Sequence, residues 1–295
     1  MQLTGAAMVT SSGPPTADAR SLNGRTHRMT AMVNGIRLTY SDAGAGVPLL
    51  CLHGGMGVDA GTLNGPGILD LAKFGIRLII PDQRGHGKSE RSSWSEYSHH
   101  TWTADAHELT RSLGLSRFAL LGHSYGGFLA LEYAKRWPES LSHLVLVATS
   151  AGPVSVQTAN VSTDADLREH FRSVWPRFFV GDDKHWPLFE TLQFSADAYT
   201  AAFTRELPRY DLRGEVSGLD VPTLLIVGRS DPYIAHMEWL AEHMPHATLC
   251  ALDGVGHFPF IEAAEQFTAV VAAFLNDFDH GNRRTAAAAD GRRRS

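Results

Sequence analysis

Short apolar runs, each ending in a polar or glycine-rich loop, recur along the chain and predict buried strands. They are residues 117–121, 144–148, 221–228 and 247–252. Residues 126–135 follow the first run, have the length and propensities of a helix, and stop before Pro138. A strand, a tight turn and a helix are therefore predicted in succession at residues 117–135.

Ser124 lies at this turn, between Gly122 and Gly126 in the sequence GHSYG. A serine at such a turn is held in a strained backbone conformation, and side chains two residues to either side would collide. A GxSxG pattern would arise by chance in about one in five chains of this glycine content. The predicted strand and helix around it make Ser124 a candidate nucleophile.

A serine hydroxyl becomes a good nucleophile when a base takes its proton and a third group orients that base. The strand at 221–228 leads into a loop with Asp231, and the strand at 247–252 leads into a glycine-rich loop with His257. The chain has 15 histidines, so it is the joint placement that singles out His257. We predict Ser124 as nucleophile, His257 as base and Asp231 as the orienting acid.

Four segments resemble the α/β-hydrolase superfamily, whose catalytic residues occur in the order Ser, Asp, His. They are the HGG loop at 53–55, the DxRGxGxS loop at 82–89, the elbow at Ser124, and the loops of Asp231 and His257. The resemblance covers residues 30–150 and 211–275. It implies an α/β-hydrolase fold, with a mostly parallel eight-stranded sheet flanked by helices and a helical cap inserted after strand six. It also implies that the backbone N–H groups of Gly55 and Tyr125 form the oxyanion hole.

The predicted cap, residues 151–210, contains ten of the 27 aromatic residues in the chain. So many large rings predict an apolar pocket above Ser124. The residues predicted to bind substrate are Met56, Trp175, Phe178, Phe179, Trp186 and Phe258. Glu206, near the return from cap to core, is the carboxylate expected to meet a substrate ammonium if the enzyme is an aminopeptidase.

Length and composition fit one compact enzyme, because 295 residues with 43% hydrophobic content can bury a substantial core. The predicted core is residues 29–150 and 211–278, with disordered tails at 1–28 and 279–295. A net charge of −5 does not indicate binding to nucleic acid or to a membrane surface. The two cysteines suggest neither a disulfide framework nor a metal site. We expect a cytoplasmic protein that binds a small molecule and needs no metal or cofactor.

The first predicted function is a serine hydrolase that cleaves a carboxylic ester or lactone through an acyl-enzyme. The HGG loop also resembles that of proline iminopeptidases, but Met56 stands where their HGGPG pattern has proline, and Tyr125 where they usually carry tryptophan. A carbon–carbon bond hydrolase and a non-catalytic small-ligand receptor of the same fold are further alternatives. The serine nucleophile disfavours haloalkane dehalogenases and epoxide hydrolases, which use an aspartate.

Overall fold

Eight strands form one sheet in the computed structural model, which describes residues 27–154, 159–181 and 183–276. They are β1 (His27–Val33), β2 (Ile36–Ala43), β3 (Val47–Leu52), β4 (Ile76–Pro81), β5 (Phe118–His123), β6 (Leu141–Val147), β7 (Thr223–Gly228) and β8 (Ala247–Leu252). Their order across the sheet is β1-β2-β4-β3-β5-β6-β7-β8. β2 pairs antiparallel with β1 and β4, and every other pair is parallel. The predicted eight-stranded, mostly parallel sheet is confirmed.

Helices connect the parallel strands. They are α1 (Pro66–Leu69), α2 (His99–Ser112), α3 (Tyr125–Arg136), α4 (Asp164–Val174), α5 (Trp186–Thr191), α6 (Ala196–Ala201), α7 (Ile234–His243), α8 (Pro259–Glu262) and α9 over residues 264–276. A 3-10 helix at Trp175–Phe178 continues α4, and a π-helix at Ala202–Glu206 continues α6. No helix in the described ranges is both long enough and apolar enough to cross a membrane.

The central strands β5, β6 and β7 are buried at every position. Strands covered on both faces need apolar side chains at successive positions, which explains the unbroken apolar runs in the sequence. Because successive side chains point to opposite faces, the strands divide the core into two clusters. Leu120 and Leu146 belong to one cluster, whereas Leu121 and Val147 belong to the other.

Three helices, α4, α5 and α6, lie between β6 and β7 in the chain, within the residues predicted to form the cap. We use the name cap for the described residues from 159 to 210. The cap contacts the loop that follows β3, since Phe194 forms an isolated β-bridge with Val58 and the Ser195 N–H donates to the Gly57 carbonyl at 2.8 Å. The loop after β3 therefore lies between the sheet and the cap.

The N-terminal tail was predicted to include residues 27 and 28, but the structure places these two residues in the first strand. His27 and Arg28 lie in β1 and pair with Asp42 and Ser41 of β2. The Arg28 guanidinium also lies 3.1 Å from the buried carboxylate of Asp82, which fixes this end of the strand. The rest of the two predicted tails, residues 1–26 and 279–295, lies outside the described residues.

Candidate active site

Ser124 occupies the sharp turn between β5 and α3 and has an unusual backbone conformation, with φ 53° and ψ −119°. A non-glycine residue adopts a positive φ only where its surroundings enforce it. The close packing of the turn explains the glycine at each side. A Cβ on Gly122 would lie 2.3 Å from the Gly126 carbonyl oxygen, and a Cβ on Gly126 would lie 2.1 Å from that of Leu52.

Asp231 and His257 follow β7 and β8, and their side chains meet in a hydrogen bond. His257 Nδ1 lies 2.6 Å from Asp231 Oδ2, and both side chains are buried. The other Asp231 oxygen accepts the backbone N–H of Tyr233 at 2.7 Å. Burial raises the pKa of the Asp231 carboxyl, but His257 and these hydrogen bonds outweigh it, so the net pKa shift is downward. An ionised Asp231 fixes the imidazole with Nδ1 towards the acid and leaves Nε2 for a reacting group.

The backbone of His257 is held on both sides. Its N–H donates to the Phe178 carbonyl of the cap at 2.8 Å, and its carbonyl oxygen lies 2.9 Å from His123 Nε2. A carbonyl oxygen only accepts, so His123 Nε2 carries the proton. Burial lowers the pKa of His123 to about 3, and this histidine therefore stays neutral. Sequence reasoning missed His123, although it stands directly before the nucleophile.

Glu262 ties the His257 loop to the cap. One carboxylate oxygen accepts the Gly256 N–H at 2.9 Å, and the other accepts the Val180 N–H at 2.7 Å. A Cβ on Gly256 would lie 2.5 Å from the Phe178 carbonyl oxygen, so the cap approaches this loop closely only because residue 256 is glycine. The position of His257 thus depends on the cap as well as on the sheet. No motif in the sequence marks Glu262.

The predicted oxyanion-hole residues, Gly55 and Tyr125, both line one cavity together with Ser124 and His257. Tyr125 is the first residue of α3, so its N–H has no acceptor within the helix. Gly55 has a positive φ of 58° in the loop after β3. A Cβ on Gly54 would lie 2.7 Å from the Ser124 Cβ, which shows how closely this loop passes the serine.

Neutral side chains from the loop after β4 hold the HGG loop in place. Gln83 Oε1 accepts the His53 N–H at 3.0 Å, and His86 Nε2 accepts the Gly57 N–H at 2.8 Å. Burial lowers the pKa of His53 to about 4 and that of His86 to about 3. His86 can accept this hydrogen bond only while Nε2 is unprotonated. The segment resembling DxRGxGxS therefore positions the HGG loop.

A model of the alpha/beta hydrolase family matches residues 49–270. The chain belongs to this family. It is similar to the 2-hydroxymuconate semialdehyde hydrolase of Pseudomonas putida, with 29% identity over 83% of this chain and 92% of that protein. It is similar to the proline iminopeptidase of Lactobacillus helveticus, with 27% identity over 79% of this chain and 90% of that protein. The enol-lactonase structure from Burkholderia xenovorans LB400 superposes with a TM-score of 0.74 and 26% identity, over 84% of this chain and 100% of that chain.

The cavity of this alpha/beta hydrolase has a volume of about 570 Å³. Of the residues predicted to bind substrate, Trp175, Phe178 and Phe258 line it, whereas Met56, Phe179 and Trp186 do not. Three further aromatic residues of the predicted cap, Phe171, Tyr199 and Phe203, also line it. Sequence reasoning missed other residues of the wall, which include Val58, Phe128, Val154, His170, Val174, Arg177, Tyr233 and His236.

The three predicted residues that lie off the cavity have other packing roles. Met56 is fully buried, and its sulfur lies 3.3 Å from the Gln83 amide nitrogen. The Phe179 ring stacks on Phe258 with a centroid distance of 5.0 Å. Trp186 packs edge-to-face on Phe189 at 5.6 Å within the cap. Phe179 thus packs behind a residue of the wall, whereas these partners of Met56 and Trp186 do not line the cavity.

The cavity wall carries no carboxylate side chain within the described ranges, and Arg177 is its one side chain that is always charged. Glu206, the carboxylate proposed for an ammonium, has other partners, since it accepts the His99 N–H at 3.0 Å and Arg205 Nε at 2.8 Å. Nor do three or more His, Cys, Asp or Glu side chains of the described part form a group suited to a metal ion. The wall is mainly aromatic, with a cation on the cap side.

Proposed function

We propose that this protein is a serine hydrolase that cleaves a carboxylic ester or lactone of a small, largely apolar substrate. The observation that carries the proposal is the placement of Ser124 and His257 on one apolar cavity, with His257 Nδ1 bonded to the buried Asp231. Nothing in a binding pocket requires a strained serine, an oriented imidazole and a buried carboxylate together. This arrangement favours catalysis over a purely ligand-binding role.

The reaction follows from the proposed roles. Ser124 Oγ attacks the carbonyl carbon, and His257 Nε2 takes the hydroxyl proton while Asp231 stabilises the imidazolium. The N–H groups of Gly55 and Tyr125 bind the developing oxyanion, each contributing about 100- to 1,000-fold in rate. His257 then returns its proton to the leaving alcohol, which breaks the ester bond and leaves Ser124 acylated. Water attacks the acyl-enzyme by the same steps and releases the acid.

The charges around the cavity support an ester or lactone over an aminopeptidase substrate. An aminopeptidase needs a carboxylate to meet the substrate ammonium, and no carboxylate of the described residues lines this cavity. Arg177 on the wall would repel a cation. The similarity to a carbon–carbon bond hydrolase, the 2-hydroxymuconate semialdehyde hydrolase, makes that reaction class the second candidate.

Fluorophosphonate labelling and a substrate panel test the proposal. The panel comprises p-nitrophenyl esters, lactones, proline arylamides and a vinylogous 1,5-diketone acid as the carbon–carbon substrate. We expect labelling and turnover of an ester or lactone, with Ser124→Ala lowering kcat by at least about 10⁴-fold. Ser230→Ala is the matched control, because Ser230 is an exposed serine beside Asp231. Activity of Ser124→Ala within tenfold of the parent would contradict the nucleophile, and turnover of the arylamide alone would contradict the substrate class.

A further inference from the structure

Three tyrosines line the cavity, and their hydroxyl groups differ in what they bind. The Tyr125 hydroxyl lies 2.7 Å from His99 Nε2 and 3.3 Å from the Ala202 carbonyl oxygen. The Tyr199 hydroxyl accepts the Ala159 N–H at 3.0 Å. The Tyr233 hydroxyl has no hydrogen-bond partner in the part of the chain that the structure describes. A tyrosine in an apolar site normally has a partner for its hydroxyl, so Tyr233 differs from the other two.

Tyr233 lies beside the proposed base. It follows Asp231 by two residues, and its backbone N–H donates to that carboxylate at 2.7 Å, which fixes the start of the side chain. Its ring centroid lies 5.6 Å from that of His257, 5.8 Å from that of His236 and 6.5 Å from that of Phe128. All three of these neighbours line the same cavity. The Tyr233 ring therefore forms part of the wall next to the reacting atoms.

The Tyr233 oxygen is within reach of a ligand atom. Among the described residues, the buried side-chain polar atoms that are sealed from solvent and lack a partner are His123 Nδ1 and Ser195 Oγ. The Tyr233 oxygen has no partner among the described residues and is not one of these sealed atoms, so it is accessible, and Tyr233 is a residue of the cavity wall. Burial and the nearby Asp231 raise the pKa of Tyr233, so the phenol keeps its proton and remains a donor at neutral pH.

We propose that the Tyr233 hydroxyl donates a hydrogen bond to a substrate oxygen other than the scissile carbonyl, so that the enzyme selects esters or lactones with a second acceptor oxygen. This inference rests on the proposed function. The scissile oxygen already has two proposed donors, Gly55 and Tyr125, in the loop after β3 and at the start of α3. Tyr233 belongs to the loop after β7, next to His257, and so meets a different part of the substrate.

The chemistry of the wall explains why a hydroxyl at this place would contribute to specificity. Pockets of this kind bind most of the ligand through apolar contacts and orient it with a few polar groups. A site built to hydrogen-bond one substrate atom discriminates against an analogue that lacks it, because the donor is then left unpaired. Tyr233→Phe removes only the hydroxyl and leaves the ring contacts with His257 and Phe128 in place.

Matched esters test the inference. p-Nitrophenyl hexanoate is compared with p-nitrophenyl propoxyacetate, 3-ethoxypropanoate and 4-methoxybutanoate, in which an ether oxygen replaces one methylene at successive positions. Hexyl acetate and 2-propoxyethyl acetate provide the same comparison on the alcohol side. We expect Tyr233→Phe to lower kcat/KM by about tenfold or more for at least one ether ester, and by less than twofold for its all-carbon partner. Intrinsic ester reactivity cancels, because each substrate is compared between two proteins.

Tyr199→Phe is the matched control, because the Tyr199 oxygen accepts the Ala159 N–H, which holds this hydroxyl against the backbone. We expect Tyr199→Phe to change kcat/KM for the ether esters and for their all-carbon partners by the same factor. Equal effects of Tyr233→Phe on both members of every pair would overturn the inference and would indicate that the hydroxyl binds water only. A selective loss in Tyr199→Phe as large as that in Tyr233→Phe would also overturn it.

A binding measurement separates this inference from the proposed function. If the parent protein hydrolyses none of these esters, the proposed ester hydrolase fails. The dissociation constants of the same ester pairs are then measured by titration calorimetry on Ser124→Ala, with and without Tyr233→Phe. Tighter binding of an ether ester by about tenfold, lost in the double variant, supports the Tyr233 hydrogen bond. Equal binding of every pair contradicts it.

Discussion

The floor and the roof of the cavity are built by different forces. The floor consists of Ser124, Asp231 and His257 with the loops that carry them, and directional hydrogen bonds of 2.6–2.9 Å fix these groups. The roof consists of the cap residues on the cavity, such as Phe171 and Trp175, which pack through ring contacts at centroid distances of 5–6 Å. Hydrogen bonds lose strength steeply with angle, whereas ring packing tolerates small displacements. The hydrogen bonds of the floor can therefore position reacting atoms, whereas the ring contacts of the roof shape the space around them.

Phe178 is the point where the two regions meet. Its carbonyl accepts the His257 N–H at 2.8 Å, and its ring lies nearly parallel to the imidazole, with a 28° interplanar angle and 5.2 Å between centroids. A cap residue thus contributes to both the position of the proposed base and the shape of the cavity. The comparison predicts that changes in the floor affect all substrates alike, and changes in the roof discriminate by size.

The largest expected effect is that of Asp231→Asn in the floor. An asparagine would hold the wrong imidazole tautomer, so we expect kcat on the best ester to fall by about 10⁴-fold for large and small acyl groups alike. Asp253→Asn is the matched control on the loop of His257, because Asp253 is exposed and forms an ion pair with Arg229 at 2.8 Å. A severe loss in Asp253→Asn with a mild one in Asp231→Asn would show that the acid is assigned to the wrong loop.

The same contrast explains which parts could be predicted from sequence. Ser124, Asp231 and His257 each follow a buried strand, and a parallel sheet brings the carboxyl ends of its strands to one edge. Glycines at 122 and 126 mark the turn because a Cβ there would collide with the backbone. The geometry of this region is therefore encoded locally, in short segments of sequence.

The roof could not be predicted in the same way. Helical spacing from residue 171 to 179 suggests that Phe178 and Phe179 share one face, but α4 ends at Val174 and a 3-10 helix ends at Phe178. Phe179 is extended, with φ −123° and ψ 146°, and it turns to Phe258 instead of the cavity. The Tyr233 hydroxyl, which has no partner among the described residues, could not be predicted either, because a sequence does not show which tyrosine hydroxyls are hydrogen-bonded.

Substitutions of the neighbouring residues Phe178 and Phe179 give the next largest effect. Phe178 lines the cavity, so Phe178→Ala should lower kcat/KM for p-nitrophenyl hexanoate by about 10- to 100-fold more than for p-nitrophenyl acetate. Phe179 is 5% exposed and lies behind the wall. Phe179→Ala should lower the free energy of unfolding by about 3–5 kcal/mol and keep the hexanoate-to-acetate ratio within about twofold of the parent. If the two variants change the hexanoate-to-acetate ratio equally, the assignment of Phe178 to the cavity wall and of Phe179 to the layer behind it is wrong.

The smallest expected effect is a pH dependence of stability that belongs to the loop after β4, which supports the HGG loop. Burial lowers the pKa of His86 to about 3, below the value of about 6.5 in an unfolded chain. As pH falls below 6.5 the unfolded state binds a proton that the folded state does not. The stabilising contribution is therefore complete above pH 6.5 and decreases by about 1.4 kcal/mol per pH unit as the pH falls towards 3.

His86→Gln removes this titration and keeps an acceptor for the Gly57 N–H. We expect denaturant unfolding between pH 6 and pH 4.5 to show a slope of stability against pH that is smaller than the parent slope by about 1.4 kcal/mol per pH unit. Phe179→Ala in the cap should lower stability equally at each pH and keep the parent slope, because it removes apolar packing and no titrating group. An unchanged slope in His86→Gln would mean that His86 gains its proton in the folded state as readily as in the unfolded state, and that the HGG loop does not depend on its neutral imidazole.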